Sequence, residues 1–395
     1  MAYDLSLLDV GVIVVFLFGI IVARLISIYF QANFTRVIVL YIWHTSFCFL
    51  YAWFITQYGG DAGGYYQNSL SLRLPFMLGT AGVYYFTSIF SSGLGLSFLA
   101  TSLVYNIFGF IGLVAFDSSL HFIVQDKKRT VRQLAELIVF LPSISFWSSA
   151  IGKDALAFLS VSLVLWASLK LKKRIWIIIP ATLIMLLVRP HIAGILIISL
   201  SITIFWQRNI SPLFRFAIGV ITIITCFYLV PIAITYSSAE NILSSKDLKK
   251  YIHQRASYNM EGEGSVNISK LPVLLQVGTY LFRPLPFEAR KFTFLAASLD
   301  NLVLIYLFIA GINGIIKKRY QSRGENRLFL WLYSLMTLLI LSTTTANLGI
   351  SMRQKWMFTP VLILLMISSI GKRQIVSHKL TSPAAKNGLA YLEKT

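Results

Sequence analysis

From Leu5 to Ile370 the chain returns repeatedly to apolar runs of about 15 to 24 residues, each long enough to cross or nearly cross a hydrocarbon core about 30 Å thick. With 56% hydrophobic and 13% charged residues in 395, this is far more apolar than a water-soluble domain requires. The pattern predicts an all-α, polytopic membrane protein formed by a single integral domain over residues 1–395. Candidate spans are Leu5 to Val22, Val37 to Thr56, Leu96 to Phe116, Val131 to Phe146, Ala155 to Leu169, Ile175 to Val188, Ile192 to Trp206, Leu213 to Tyr236, Phe292 to Ile316, Leu328 to Leu348 and Trp356 to Ile370, about eleven in all. The runs around Pro142, Pro180 and Pro190 are short or interrupted and predict broken or re-entrant helices. Pro75 to Phe90 reads as an interfacial or re-entrant helix. Asp4 and Asp9 around the first run, without a basic stretch or cleavage pattern, favour a retained helix over a signal peptide.

The net charge of +20 has to be placed on this topology before it is assigned a partner. Basic residues concentrate at Arg24 to Arg36, Lys127 to Arg132, Lys170 to Arg174, Arg208 to Arg215, Lys317 to Arg327 and in the tail 371–395. An eleven-span count puts all of them on one side, the cytoplasmic one by the positive-inside rule. The amino terminus is then outside, the carboxyl terminus inside, and no nucleic acid is needed to explain the charge. The long hydrophilic segment 237–291 falls outside. Two cysteines within apolar runs give no disulfide framework, and five histidines without paired spacing give no metal site.

Several polar clusters then share the external side. Asp61 lies among Gly59, Gly60, Gly63, Gly64, Tyr65 and Tyr66. A carboxylate at a membrane surface suits general-base work, and the tyrosines offer rings and hydroxyls to sugars; the competing reading is an aspartate in an exposed turn. Lys153 and Asp154 open a helix whose amino terminus favours anions. The alternatives are a snorkelling lysine and a capping aspartate. Arg189 and His191 flank Pro190 at the end of a short run, where a guanidinium fork suits phosphate and an imidazole can orient substrate or move a proton. The plain alternative is an interfacial turn. Arg283, Glu288 and Arg290 stand in a proline-rich stretch, with Glu288 either a second carboxylate or the partner of Arg290. The last cluster, Asn347 to Trp356, puts Arg353 and Lys355 at an external helix start. Lys153, Arg189, Arg283 and Arg353 together suggest one anionic ligand.

The motifs GGDAGGYY, GKD, RPH, FRPLPFEA and NLGISMRQKWMFTP, spread over most of the chain, resemble bacterial polysaccharide polymerases of the Wzy and EpsG type. More distantly, the first-loop aspartate is similar to the acidic residue of GT-C glycosyltransferases. The resemblance implies an inner-membrane enzyme of O-antigen, capsule or exopolysaccharide assembly. It would join saccharide repeats carried on undecaprenyl pyrophosphate at the periplasmic face, among membrane lipids and beside a chain-length regulator. Asp61 would be the base, with His191 its rival; Tyr65, Tyr66, Lys153, Asp154, Arg189, Arg283, Glu288, Arg290 and Arg353 would bind substrate. The chain lacks a DxD motif and a large carboxyl-terminal external domain, and neither a metal nor another cofactor is expected. The competing functions are a transporter or flippase for a lipid-linked saccharide, which would carry charges deep in mid-helix, and a membrane acyltransferase relying on His191.

Overall fold

The computed structural model describes residues 9–206, 271–289, 292–317 and 326–371, and single positions 213, 216, 219, 220 and 227. Among them the chain is all helical. The helices are α1 (Val10–Tyr29), α2 (Phe34–Tyr58), α3 (Asp61–Leu70), α4 (Thr80–Ser91), α5 (Phe98–Val124), α6 (Arg129–Ile138), α7 (Pro142–Ser148) and α8 (Lys153–Ser168). They continue with α9 (Leu171–Val188), α10 (Pro190–Trp206), α11 (Val273–Phe282), α12 (Phe292–Ile316), α13 (Arg327–Thr344), α14 (Leu348–Gln354) and α15 (Thr359–Ser369). Five of these helices are long and apolar enough to cross a membrane, six if one bent pair is a single span.

The helices start where the sequence supplies caps. Asp9 accepts from Gly11 N at the head of α1, Asn33 from Thr35 N and Arg36 N at α2, and Ser97 from Ala100 N at α5. Pro142 and Pro190 occupy first-turn positions, where a missing N–H costs nothing. On α1, Val10, Val14, Leu17, Ile21, Leu25 and Ile28 are exposed at helical spacing, while Val12, Val15, Ala23 and Ile26 are buried. A chain with that much apolar surface on its outer face is matched to lipid rather than water, and it reads as a multi-pass membrane protein.

Contacts fix two ends of the bundle. Arg36 on α2 pairs with Asp117 on α5, and eight residues further on His44 bonds Asn106, so the two helices run antiparallel. At the Arg36 end, the guanidinium grips both Asp117 oxygens at 2.7 and 2.9 Å and also donates to Glu136 O. There Lys127 Nζ donates to the carbonyls of Ser368, Ile370 and Gly371, capping α15, while Arg327 bonds Ser368 and Asn326 bonds Ser168 O. Arg36, Lys127 and Arg327, from three of the basic stretches expected on one side, thus lie at one end, while residues 208–212, 214–215, 318–325 and 372–395 lie outside the described residues. Asp61 lies at the other, beyond the carboxyl end of α2, where Tyr66 bonds Leu96 O just before α5.

At the centre stand α5 and α8, with α8 buried along nearly its whole length. Close approach to α5 depends on small residues: a Cβ at Gly112 would come within 2.9 Å of Leu159 Cα on α8, and one at Gly109 would collide with Ser148 O at the end of α7. Near the carboxyl-terminal end, Gly311 and Gly314 admit Met366 and Ser369 of α15 in the same way.

The sequence expectations need several corrections. The run Val131 to Phe146 is broken at Pro142 as expected, α6 ending at Ile138 and α7 beginning at Pro142, because a proline inside a helix would cost its hydrogen bond; other runs depart from expectation. Trp356 to Ile370 is part of a bent pair, Leu348–Met357 and Thr359–Ser369, with an angle of 65° between the halves. Conversely, α9 runs through Pro180 without a break. The segment 237–291 is not all loop, since α11 occupies Val273–Phe282; residues 237–270, most of the Leu213 to Tyr236 run and the tail 372–395 lie outside the described residues.

Candidate functional site

The turn between α2 and α3 is built by two glycines in conformations that L residues rarely adopt, Gly59 at φ 72° and Gly60 at φ 148°. They break the helix between Tyr58 and Asp61 and set Asp61 in the first turn of α3. Gly63 and Gly64 are ordinary helical positions, and a Cβ on Gly64 would meet open space.

Three further elements reach the Asp61 end. The first turn of α8 supplies Lys153 and Asp154, the junction of α9 and α10 supplies Arg189, and the last turn of α14 supplies Arg353. Arg353 joins the two carboxylates: its Nη1 donates to Asp61 Oδ2 at 2.7 Å and its Nε to Asp154 Oδ2 at 3.0 Å. Arg189 Nη2 donates to the other oxygen of Asp154 at 2.8 Å. The four groups therefore form a chain, Asp61–Arg353–Asp154–Arg189, in which charges alternate and formally cancel.

Exposure grades along that chain. The Asp61 side chain is 56% exposed, that of Arg353 22%, and those of Arg189 and Asp154 are 11% and 9%. Asp154 is thus the buried anchor that orients two guanidinium groups, and Asp61 is the end open to an incoming molecule. A buried carboxylate between two cations is held ionised by them. Arg189 Nε has no hydrogen-bond partner among the described residues, which leaves a donor for another acceptor.

Aromatic rings wall the cluster. The Arg353 guanidinium carbon lies 5.5 Å from the Trp147 ring, within cation–π range. Tyr65 is buried against Tyr84, with ring centroids 5.8 Å apart, and beside Gly152. Tyr51 and Tyr280 are also buried within electrostatic range of these charges. Lys153 Nζ donates to Thr80 Oγ1 at 2.7 Å, which links α8 to the start of α4.

Other expected site residues are placed elsewhere or differently. Tyr66 donates to Leu96 O and meets Phe98 edge-on, so its hydroxyl braces the approach to α5. His191 lies in the first turn of α10, two residues from Arg189 and partly exposed. Arg283 pairs with Glu288 through Nε at 2.7 Å, and Glu288 also accepts from Leu285 N at 2.8 Å. Burial works against the charge on Glu288, but the hydrogen bonds from Arg283 and Leu285 outweigh it and hold the carboxyl below the usual range. Arg283 and Glu288 close their own loop rather than joining the Asp154 cluster. Arg290 lies outside the described residues.

The sequence alone assigns no site role to Trp147 or to Tyr51, which lies within the apolar run Val37 to Thr56. It sets Lys355 at an external helix start and so misses a second, buried polar core. Lys355 is fully buried and hydrogen-bonds Asn301 Oδ1; Asn301 Nδ2 donates to Pro284 O, and neighbouring Asp300 accepts from Ser143 N at 2.7 Å. This network ties the Arg283 loop, α12 and α7 to the bend that carries Arg353. The signal was present in Asp300, a lone carboxylate within an apolar run.

Chemically, the cluster combines a partly exposed carboxylate with two guanidinium groups on rigid helix ends. It can receive a multiply charged anion and accept a proton beside it. Among the described residues, no group of three or more His, Cys, Asp and Glu side chains is placed to hold a metal. Comparison with family models, with curated proteins and with solved structures gave no match.

Proposed function

We propose that the protein is a glycosyltransferase of the inner membrane that polymerises saccharide repeats carried on undecaprenyl pyrophosphate, working at the periplasmic end of the bundle. The observation that supports this most is the shared arginine: Arg353 holds the exposed Asp61 on one side and the buried Asp154 on the other. A lipid pyrophosphate entering at the open end competes with Asp61 for Arg353. Once Arg353 turns to the phosphate oxygens, the Asp61 carboxylate is free to take the proton of an acceptor hydroxyl. That hydroxyl oxygen bonds to the anomeric carbon as the bond from that carbon to the pyrophosphate oxygen breaks. The electron pair leaves with the lipid pyrophosphate, whose charge Arg353 and Arg189 stabilise. Asp154 keeps both cations aimed throughout.

An eleven-span arrangement with the amino terminus outside and the carboxyl terminus inside accords with this reading, because it sets the basic Arg36 end in the cytoplasm and the Asp61 end outside. The experiment is complementation in cells that lack the chromosomal copy. Asp61→Asn and Arg189→Ala are expected to leave protein abundance intact and to abolish long-chain polymer, and normal chain length in both would overturn the enzymatic reading.

One observation favours a second reading. Lys355, Asp300 and Asn301 are buried inside the bundle beside a bent span, as in a transporter of lipid-linked saccharide. Transport without bond formation would leave single repeats accumulating outside, and these are scored in the same cells.

A further inference from the structure

At the end of the bundle opposite Asp61, three cations sit on aromatic rings instead of beside carboxylates. The Arg174 guanidinium carbon lies 3.5 Å from the Trp166 ring centroid and that of Arg24 5.2 Å from Phe34, while Lys170 Nζ lies 5.1 Å from Phe122. No carboxylate pairs with any of them among the described residues, whereas Arg189 and Arg353 at the other end share Asp154. Arg174 is the most firmly held of the three. Its Nη1 donates to Trp166 O at 2.8 Å, and that bond together with the ring fixes the plane of the guanidinium fork. The fork makes no other hydrogen bond among the described residues. Tyr29, at the end of α1, packs on the same Trp166 ring with centroids 5.5 Å apart and on Phe30 edge-on. It is 47% exposed, and its hydroxyl is within electrostatic range of Arg174. From this point towards the middle of the bundle the outward faces of both helices are apolar: Leu25 and Ile28 on α1 and Ile175 and Ile179 on α9 are exposed.

We propose that Arg174 and Tyr29 form a site for the headgroup of an anionic phospholipid, with Lys170 adding charge and the acyl chains lying along α1 and α9. The inference stands apart from the saccharide-transfer reading, which concerns the other end of the bundle. A guanidinium pinned face-on by an indole presents its remaining donors edge-on, the geometry that phosphate oxygens accept. A tyrosine with a packed ring and an exposed hydroxyl suits the level where lipid headgroups meet hydrocarbon. A soluble phosphate would gain only from the cations. The apolar faces that continue from the site favour a lipid, which uses both.

The test is native mass spectrometry of the full-length protein released from micelles that hold equal amounts of phosphatidylglycerol and phosphatidylcholine with the same acyl chains. The wild type should keep phosphatidylglycerol in excess over phosphatidylcholine, and inorganic phosphate should not displace it. Arg174→Gln should lower that retention about fivefold, the contribution of one cation beside an anionic headgroup. Tyr29→Phe should lower it about two- to tenfold, the loss of one hydrogen bond. Arg129→Gln removes an exposed cation from α6, away from the site, and should leave retention unchanged. Tyr29→Phe keeps the ring that packs on Trp166, so it decides the question if Arg174→Gln does not fold. Equal retention of the two lipids, a loss in Arg129→Gln as large as in Arg174→Gln, or unchanged retention in Tyr29→Phe overturns the site. Displacement of the lipid by inorganic phosphate overturns it as well, by assigning the cations to a soluble anion.

Discussion

Asp61 and Asp154 share Arg353 but differ sixfold in exposure, and that difference decides what a substitution costs. An exposed ion pair contributes about 0 to 1 kcal/mol, whereas removing one partner of a buried pair costs about 3 to 5 kcal/mol by leaving a charge uncompensated. Asp61→Asn should therefore unfold within about 1 kcal/mol of the wild type in detergent. Asp154→Asn, which strands two guanidinium groups, should lose about 3 to 5 kcal/mol. Equal losses in a denaturation series would show that the two carboxylates are not graded as described. The same arithmetic gives a binding prediction: Asp61→Asn removes the competitor for Arg353 and should tighten inorganic pyrophosphate binding by up to about fivefold. Weaker binding in that variant would mean that Asp61 helps to hold the anion. At this scale the sequence was informative about which residues matter and silent about their partners. Asp61 stood out because a lone carboxylate between glycine pairs is a local pattern. Its partner Arg353 lies 292 residues away, and no local pattern encodes which helix ends become neighbours.

Among the elements, glycines decide how near helices come. Gly109 admits the Ser148 backbone and the His44 ring, so Gly109→Ala should cost about 1 to 3 kcal/mol through overpacking. Gly64→Ala, in a helix with open space around it, should be neutral or stabilising by up to about 1 kcal/mol from helix propensity. Unfolding midpoints of the two variants measured side by side check this; a Gly109→Ala protein as stable as the wild type would mean that α5 and α7 are not in the close contact described. Helix existence was largely legible, since apolar length alone marks α1, α2, α5, α12 and α13. Prolines were legible only in part. Pro142 and Pro190 start helices, as a residue without an N–H prefers, but Pro180 sits inside α9, where neighbouring groups keep the helix going. The bend between α14 and α15 escaped notice because Trp356 to Ile370 reads as one apolar run. The break falls where Pro360 stands in the first turn of α15 and cannot continue the preceding helix.

For the whole molecule, charge separates the two ends of the bundle. At one end Arg36 pairs with Asp117 while Lys127 and Arg174 meet carbonyls and Arg327 a hydroxyl, and at the other Arg189 and Arg353 share Asp154. Reporter fusions should place position 60 outside the cell membrane and position 320 inside, and the reverse pattern would undo the assignment of the Asp61 end to the periplasm. Function was the least legible level, because apolar runs and basic connections are common to enzymes and transporters. What favours an enzyme is the meeting of a partly exposed carboxylate with two arginines on rigid helix ends. The most direct measurement is product length from purified protein in liposomes supplied with a lipid-linked oligosaccharide. The wild type is predicted to build a ladder of longer chains while releasing lipid pyrophosphate, and folded Asp61→Asn to leave the starting repeat unchanged. The same ladder from Asp61→Asn would contradict the role given to this carboxylate and the mechanism built on it.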